Sequence, residues 1–199
     1  MDGYRILLAV ADQPDCNHLR DMLLRLGHNV IAATSEARSA LRLAFEVHPD
    51  AMIIDPSIPD CGGSGALQIL EEHRLMAVIF YSRNEEVIVE QAKKGWVMAY
   101  ILPPIEEANI AAAVEVAVAN FQRLSALEHE NAKLQKNLVE RRLVEQARGL
   151  LAEKKGLSER EAYHYMRHLS MNRRQPMARV AKEIIASLDK IRCRSTIKE

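Results

Sequence analysis

Apolar residues follow two different rhythms along this chain, and the change of rhythm divides it. In the first part, short continuous apolar runs alternate with stretches at helical spacing. Residues 4–10, YRILLAV, are such a run, expected to form a strand buried on both faces. Leu19, Leu23, Leu24 and Leu26 follow at helical spacing, and Gly27 closes that helix. Residues 29–33 make a second strand, Ala37, Ala40, Leu41, Ala44 and Phe45 a helix, and residues 51–54 a third strand. Residues 67–70, 78–81, 87–92 and 97–102 continue the alternation. Five β-then-α units in a row imply an α/β fold, a five-stranded parallel doubly wound sheet with helices on both faces. Sites in such sheets lie at the carboxyl ends of the strands, here Val10-Ala11-Asp12, Asp55, Ser82 and Pro103.

The rhythm then becomes that of a long helix. Residues 106–155 contain no Pro, and their only Gly is Gly149. On a heptad, Ile110, Ala117, Leu124, Asn131 and Leu138 fall at a, and Ala113, Asn120, Leu127 and Leu134 at d. Val114 and Phe121 lie beside this seam and suit packing of the first turns against the preceding sheet. Asn131 between leucines is the device that selects a parallel two-stranded register. Arg123 faces Glu128 of a partner, a small contribution at best. A helix packed only on its own chain is the alternative, but the segment SALEHENAKLQKNL is too polar elsewhere to be buried on all sides. Leu124, Leu127, Asn131, Leu134 and Leu138 are therefore the expected homodimer contacts.

The last third reads as a three-helix all-α domain. Leu138, Val144, Ala147, Leu150 and Leu151 mark the first helix, ended by Gly156 with Lys154 and Lys155 in its last turn. Ser158 and Glu161 form a capping box for the second, whose apolar positions are Ala162, Met166 and Leu169. Pro176 suits the first position of a third, with Met177, Val180, Ala181, Ile184, Ile185 and Leu188 as its apolar stripe.

Charge sharpens this picture. The chain is formally neutral, yet between residues 140 and 182 Lys and Arg stand at 141, 142, 148, 154, 155, 160, 167, 173, 174, 179 and 182, against acids at only 140, 145, 153, 159 and 161. That excess is a localised positive field. A hydrophobic content of 48% and a charged content of 27% are those of a globular protein. No apolar run reads as a bilayer span and the N-terminus has no leader pattern, so the expected compartment is cytoplasmic, with no membrane contact. The three cysteines show no metal spacing and suit idle thiols in a reducing compartment.

Specific residues add a family resemblance. RRLVEQARGLL followed by LSEREAYHYMRHLSMNRRQPMARVAKEII resembles the ANTAR module, an RNA-binding domain of bacterial transcription antitermination regulators. Arg142, Ala147, Gly149, Leu150, Leu151, Ala162, Tyr163, Arg167, Met171, Arg173 and Ala181 match its pattern. Arg148 stands where the family usually has Lys, which keeps the charge and changes the donor geometry. The resemblance implies RNA contacts, for which Arg148, Arg167, Arg173 and Arg174 are the leading candidates. Arg142, Gln146 and Gly149 are further ones, the last leaving room for close approach. Tyr163 or Tyr165 offers a stacking surface or belongs to the core.

The N-terminal part resembles the receiver domain of bacterial response regulators. PDAMIIDPSIPDCGG is similar to the phosphorylated-Asp segment, and Asp55, Ser82 and Tyr100 align with the phospho-acceptor, the phosphoryl-binding Ser/Thr and the switch aromatic. Two departures stand out. Where the family has an acidic pair for Mg²⁺ there are Val10 and Ala11, with Asp12 next, and where it has Lys there is Pro103. Phosphoryl transfer to a carboxylate needs cations around the equatorial oxygens, and Mg²⁺ wants carboxylates. The expectation is a response-regulator fold without phosphate chemistry, a pseudo-receiver; residual phosphorylation through Asp12 and Asp55 is the alternative.

The resulting organisation is a receiver-like domain at 1–121, a coiled-coil dimerisation helix at 122–138 and an ANTAR domain at 139–199. The resemblance implies binding to stem-loops in a leader transcript, with control from a regulatory protein partner. No cofactor or metal is expected. His164 and His168, four apart on one helix, lack a third ligand. Cys61-Gly62-Gly63-Ser64-Gly65 lacks the Lys-Ser/Thr end of a phosphate loop. No nucleophile–base set indicates an enzyme. A protein-interaction adaptor and a DNA-binding regulator are the rival readings, although NRRQP lacks the tight Gly turn of a helix-turn-helix.

Overall fold

A computed structural model describes residues 3–58, 65–92 and 96–195. The stretch 61–64 of the glycine loop lies outside them. The chain forms two compact units, Met1–Ala126 and Leu127–Glu199.

The first unit alternates β1 (Arg5–Ala9), α1 (Gln13–Arg25), β2 (Asn29–Thr34), α2 (Ala37–Val47), β3 (Ala51–Ile54), α3 (Ala66–His73), β4 (Ala77–Tyr81), α4 (Glu85–Ala92) and β5 (Ala99–Ile101). The sheet order is β2-β1-β3-β4-β5, and every pairing is parallel. Successive side chains of a strand alternate between faces, and both faces are covered. Ile6, Leu8, Ile53, Ile79, Tyr81 and Ile101 enter one core with Leu19 and Leu23 of α1. Leu7, Met52, Ile54, Val78 and Phe80 enter the other with Ala37, Ala40 and Ala44 of α2 and Leu70 of α3. Burial on both faces is why the strands read as unbroken apolar runs. The last strand is shorter than the expected 97–102, because only Ala99, Tyr100 and Ile101 pair with β4.

A single helix, α5 (Glu107–Lys155), begins in this unit. Ile110, Ala113, Val114, Ala117 and Val118 join the core formed with α1. The expected heptad is thereby corrected in its first part: Ile110, Ala113 and Ala117 are at most 8% exposed within their own chain and are not free for a partner. By length and mean hydropathy, 1.2 over its best window, α5 also passes as a bilayer span. The expectation that no run would do so is corrected too; 28% of that window is buried. Farther along the same helix Leu127, Leu134 and Leu138 are 55%, 56% and 57% exposed.

The second unit packs the end of α5 with α6 (Glu159–Arg173) and α7 (Met177–Ser195). Its core is Ala147, Leu151, Ala162, Met166, Val180, Ala181 and Ile184. The three alanines let the helix backbones approach closely. Leu138, expected on this core face, is exposed instead. At about 100° per residue it lies nearly opposite Ala147 and Leu151, on the stripe of Leu127 and Leu134. Helix α7 starts one residue later than expected, and the Pro176 carbonyl accepts its first helical bond from Val180 at 3.3 Å.

Candidate nucleic-acid interface

Helix α6 is fixed at both ends. At its start the Ser158 backbone N–H donates to Glu161 Oε2 at 2.8 Å, and the Glu161 N–H donates to Ser158 Oγ at 3.3 Å, the expected capping box. The Ser158 hydroxyl, donating to Glu161 Oε2 at 2.7 Å, and then the Ser158 backbone N–H hold the Glu161 carboxyl below the usual range. At its end Arg174 takes a left-handed conformation, φ 50°, a place where glycine is usual. The Arg174 N–H donates to Met171 O at 3.2 Å, and the Gln175 N–H to Ser170 O at 3.1 Å. Ala162 and Met166 face the core. The opposite side therefore carries Arg160, His164, Arg167 and Met171 at i, i+4, i+7 and i+11, with Arg174 continuing the line. All five are exposed.

The acids beside this stripe are engaged elsewhere. Glu161 is in the capping box. Glu159 accepts from Arg148 Nη2 of α5 at 2.6 Å. Among the described residues no acid pairs with Arg160, Arg167 or Arg174. The α6 stripe is thus a row of unneutralised guanidinium groups with a methionine and a histidine between them. Arg160, His164 and Met171 were not singled out as contacts from sequence. Projecting the residues of α6 opposite its apolar positions on the helical period places the three on one line.

The other expected contacts separate into two groups. Arg142, Gln146 and Gly149 lie at i, i+4 and i+7 on the outward face of α5, and all are exposed. A Cβ added at Gly149 would meet nothing within 4 Å. Arg148 and Arg173 are instead bound inside the domain. The Arg148 side chain is 29% exposed and joins α5 to Glu159. Arg173 Nη1 donates to Glu183 Oε2 of α7 at 2.7 Å. Tyr163 and Tyr165 are each 40% exposed, so neither is core. Lys155 sits over the Tyr165 ring at 5.0 Å. Tyr163, Arg148 and Arg141 line an open cleft of about 410 Å³ with Met177 and Ala178 of α7.

The carboxyl end of the sheet has its own arrangement. Val10 is buried, and Ala11 and Pro103 carry no charge. Asp12 is the N-cap of α1, accepting from the Asp15 N–H at 3.2 Å. Asp15 is 8% exposed and is clamped from three sides: Tyr81 Oη donates at 2.5 Å, Arg83 Nε at 2.8 Å and Arg83 Nη2 at 2.5 Å. The Arg83 guanidinium, then the Tyr81 hydroxyl, hold the Asp15 carboxyl low against the opposing effect of burial. Burial and the Asp15 carboxylate push Tyr81 up to about 12. Asp55 Oδ1 accepts from the N–H and Oγ of Ser57 at 2.8 and 2.6 Å. Ser82 is buried, with its Oγ accepting from the Asn84 N–H at 3.1 Å. Tyr100 is half-buried edge-on to Phe80, and burial raises its hydroxyl. This donor set does not fit the Mg²⁺ of an active receiver. The acidic pair is missing, and the nearby carboxylates are committed to a helix cap and an arginine. Among the described residues no group of three His, Cys, Asp or Glu is placed to hold a metal ion.

Comparison with known proteins identifies both parts. Residues 7–115 match the response regulator receiver domain, and residues 132–185 match the ANTAR domain. The transcriptional regulatory protein PdtaR of Mycobacterium tuberculosis is 32% identical over 92% of this chain and 90% of its own. The chain belongs to the receiver–ANTAR transcriptional regulators. The aliphatic amidase regulator of Pseudomonas aeruginosa is 25% identical over 44% of each chain. In the receiver fold, the signal receiver domain of a modulated diguanylate cyclase from Desulfovibrio desulfuricans G20 superposes with a TM-score of 0.54, at 21% identity over 61% of this chain and 98% of that one.

The Asp15 clamp carries a pH signature. Its folded pKa lies below the unfolded value of about 3.9. The clamp therefore stabilises the fold above that value, and this contribution is lost as pH falls through the depressed folded pKa. Asp15→Asn should lower the urea midpoint at neutral pH, and the gap to wild type should close below about pH 4. A gap that is absent at neutral pH, or unchanged in acid, would show that the Arg83 pair contributes nothing.

Proposed function

We propose that this chain is a homodimeric, cytoplasmic RNA-binding antiterminator. It binds stem-loops in a leader transcript and so keeps a terminator hairpin from forming. Residues 139–199 bind the RNA, residues 122–138 dimerise, and residues 1–121 receive the control signal. The observation that carries this reading is the α6 stripe, in which Arg160, Arg167 and Arg174 make no ion pair among the described residues. Unpaired cations along a helix release counterions when they meet phosphates, which is the sequence-independent part of nucleic-acid affinity. Specificity for loops comes from unstacked bases meeting arginine and aromatic groups. Arg142, Gln146 and Gly149 supply a second exposed surface on α5. Arg148 and Arg173 contribute RNA contacts only by giving up their internal carboxylates. The protein acts by binding and not by catalysis.

Control comes from a protein partner and not from phosphorylation. Asp55 has no acidic pair beside it for Mg²⁺, and Pro103 removes the lysine that would meet a phosphoryl group. Incubation with acetyl phosphate and Mg²⁺ should leave both the intact mass and the RNA affinity unchanged; a stoichiometric adduct on Asp55 would sink this part of the proposal. Partner control also requires that RNA affinity fall when a silencing protein encoded beside this chain is added back. An unaltered titration would remove that requirement.

For the RNA face, Arg167→Ala and Arg174→Ala should each weaken binding to all stem-loops alike, and each should flatten the salt dependence by about one unit of slope. Arg173→Ala should instead lower the stability of the helical unit, because it breaks the tie to Glu183. Titration of a stem-loop from the chain's own leader over a salt series reads the first, and thermal melting followed by circular dichroism reads the second. Wild-type slopes in the Arg167 and Arg174 variants would place the RNA elsewhere. Tighter binding to duplex DNA would favour the DNA-binding reading, and no binding to either nucleic acid would favour the adaptor.

For the dimer, Leu127, Leu134 and Leu138 are exposed on one stripe of α5, and Asn131 lies between them. Leu127→Lys with Leu134→Lys puts like charges into the seam and should yield monomers. A sedimentation coefficient that does not change between wild type and the double variant would count decisively against it.

A further inference from the structure

We infer that the cleft between α5, α6 and the start of α7 receives an unstacked nucleobase of the RNA loop, while the α6 stripe meets phosphates. The inference rests on the RNA-binding reading and assigns separate surfaces to loop recognition and to backbone affinity.

Three features of the cleft favour a base over a phosphate. The first is charge. Arg141 and Arg148 on its walls are balanced by Glu140 and Glu145, and Arg141 Nε is bound to Glu145 Oε1 at 3.0 Å. A phosphate gains nothing from such a balanced rim and meets two carboxylates. A neutral base, which carries both donors and acceptors, is suited to it. The α6 stripe has the opposite character, with cations and no free acid.

The second feature is surface. Tyr163 is 40% exposed and lines the cleft, and Val144, Met177 and Ala178 supply apolar wall. Bases stack on aromatic side chains irrespective of their identity. A volume of about 410 Å³ is within the range of small-ligand pockets, about 300–1,000 Å³.

The third feature is Arg148. Its Nη2 is held by Glu159, but its Nε is buried without any hydrogen-bond partner. A buried donor without an acceptor is an unfavourable resting arrangement. Glu159 is 80% exposed, so the pair that holds the guanidinium in place is solvent-screened and readily exchanged. An acceptor edge of a base, such as the N7 and O6 of a guanine, gives the guanidinium two partners at once.

The test is selection from a pool of RNA stem-loops with randomised loops, followed by titration of the recovered hairpins over a salt series. Wild type should enrich a loop consensus. Tyr163→Ala should keep the salt slope and weaken every hairpin by about 5- to 150-fold, the range of base–aromatic stacking. Tyr163→Phe should bind like wild type. Arg148→Lys keeps the charge but has no Nε, and should lose preference at one loop position. Helicity by circular dichroism checks the fold; Tyr163→Leu, which keeps apolar cover, replaces the alanine variant if that one loses helix. If Tyr163→Ala binds every hairpin like wild type and Arg148→Lys enriches the wild-type consensus, the cleft takes no base and the inference falls while RNA binding stands. If they weaken every hairpin equally and flatten the salt slope, the cleft is a phosphate site and the inference again falls. If wild type binds no stem-loop, the antiterminator reading itself fails and takes the inference with it.

Discussion

Ile110, Val114, Ala117 and Val118 lie against the sheet, and a few turns farther along the same helix Leu127, Leu134 and Leu138 have nothing covering them. Farther still, Ala147 and Leu151 are buried again, against α6 and α7. One uninterrupted helix thus has three apolar segments, and only the outer two are satisfied by the chain itself. In proteins most helical stability comes from tertiary packing of an apolar face and not from propensity. The middle segment lacks such contacts within one chain. It also has the periodicity and the seam Asn131 that suit a second copy of the same helix. The dimer proposed above would therefore answer a defect in the burial of α5, and does not rest on the heptad pattern alone. The pattern by itself misleads, since its first two a positions, Ile110 and Ala117, are fully buried in the monomer.

Arginines are divided between structure and surface in a similar way. Arg83 neutralises Asp15 at the carboxyl edge of the sheet, where a receiver of the active kind would hold a metal ion. Arg148 and Arg173 reach across helices to Glu159 and Glu183. These pairs engage Glu159 and Glu183, and the capping box engages Glu161, so that among the described residues none of the three carboxylates is paired with Arg160, Arg167 or Arg174. The internal pairs and the external field are two consequences of one placement of charges. An exposed ion pair adds little stability by itself, about 0–1 kcal/mol. Its larger effect here is to decide which guanidinium groups remain free.

Much of this was legible in the sequence. The strands and helices of the sheet, the capping box at Ser158, the glycine stops at Gly27 and Gly156 and the exposed seam follow from local patterns that depend only on neighbouring residues. What was not legible depends on tertiary placement. Helices α2, α3 and α6 end on His48, Arg74 and Arg174 at φ 46°, 41° and 50°, positions with no glycine to announce them. The pairing of Arg148 with a residue eleven positions away requires the turn at Gly156 to bring α6 back along α5, and no spacing rule on a single helix encodes that. The ranking of Arg148 above its neighbours as a contact came from a motif. The structure shows the same residue half-committed to the fold and leaves Arg160, outside that ranking, fully free.

Gly149 tests the logic of the outward face of α5 most directly. A glycine inside a helix costs about 1 kcal/mol relative to alanine, because it loses more backbone freedom on folding. Close packing within the chain would be the usual compensation. Here a Cβ would meet only open space, and the helix has no positive φ at that position to demand glycine. Intrachain energetics therefore favour alanine, and no described residue calls for glycine there. Counting about 100° per residue, Gly149 lies on the same stripe of α5 as Leu134, Leu138 and Arg142. It lies beyond Arg142 and Gln146 on the surface that follows the exposed seam. A backbone bared there admits something that a methyl group would hold off. Under the proposed function that is the RNA or the neighbouring copy of the helix, and at this position the two are adjacent demands on one face.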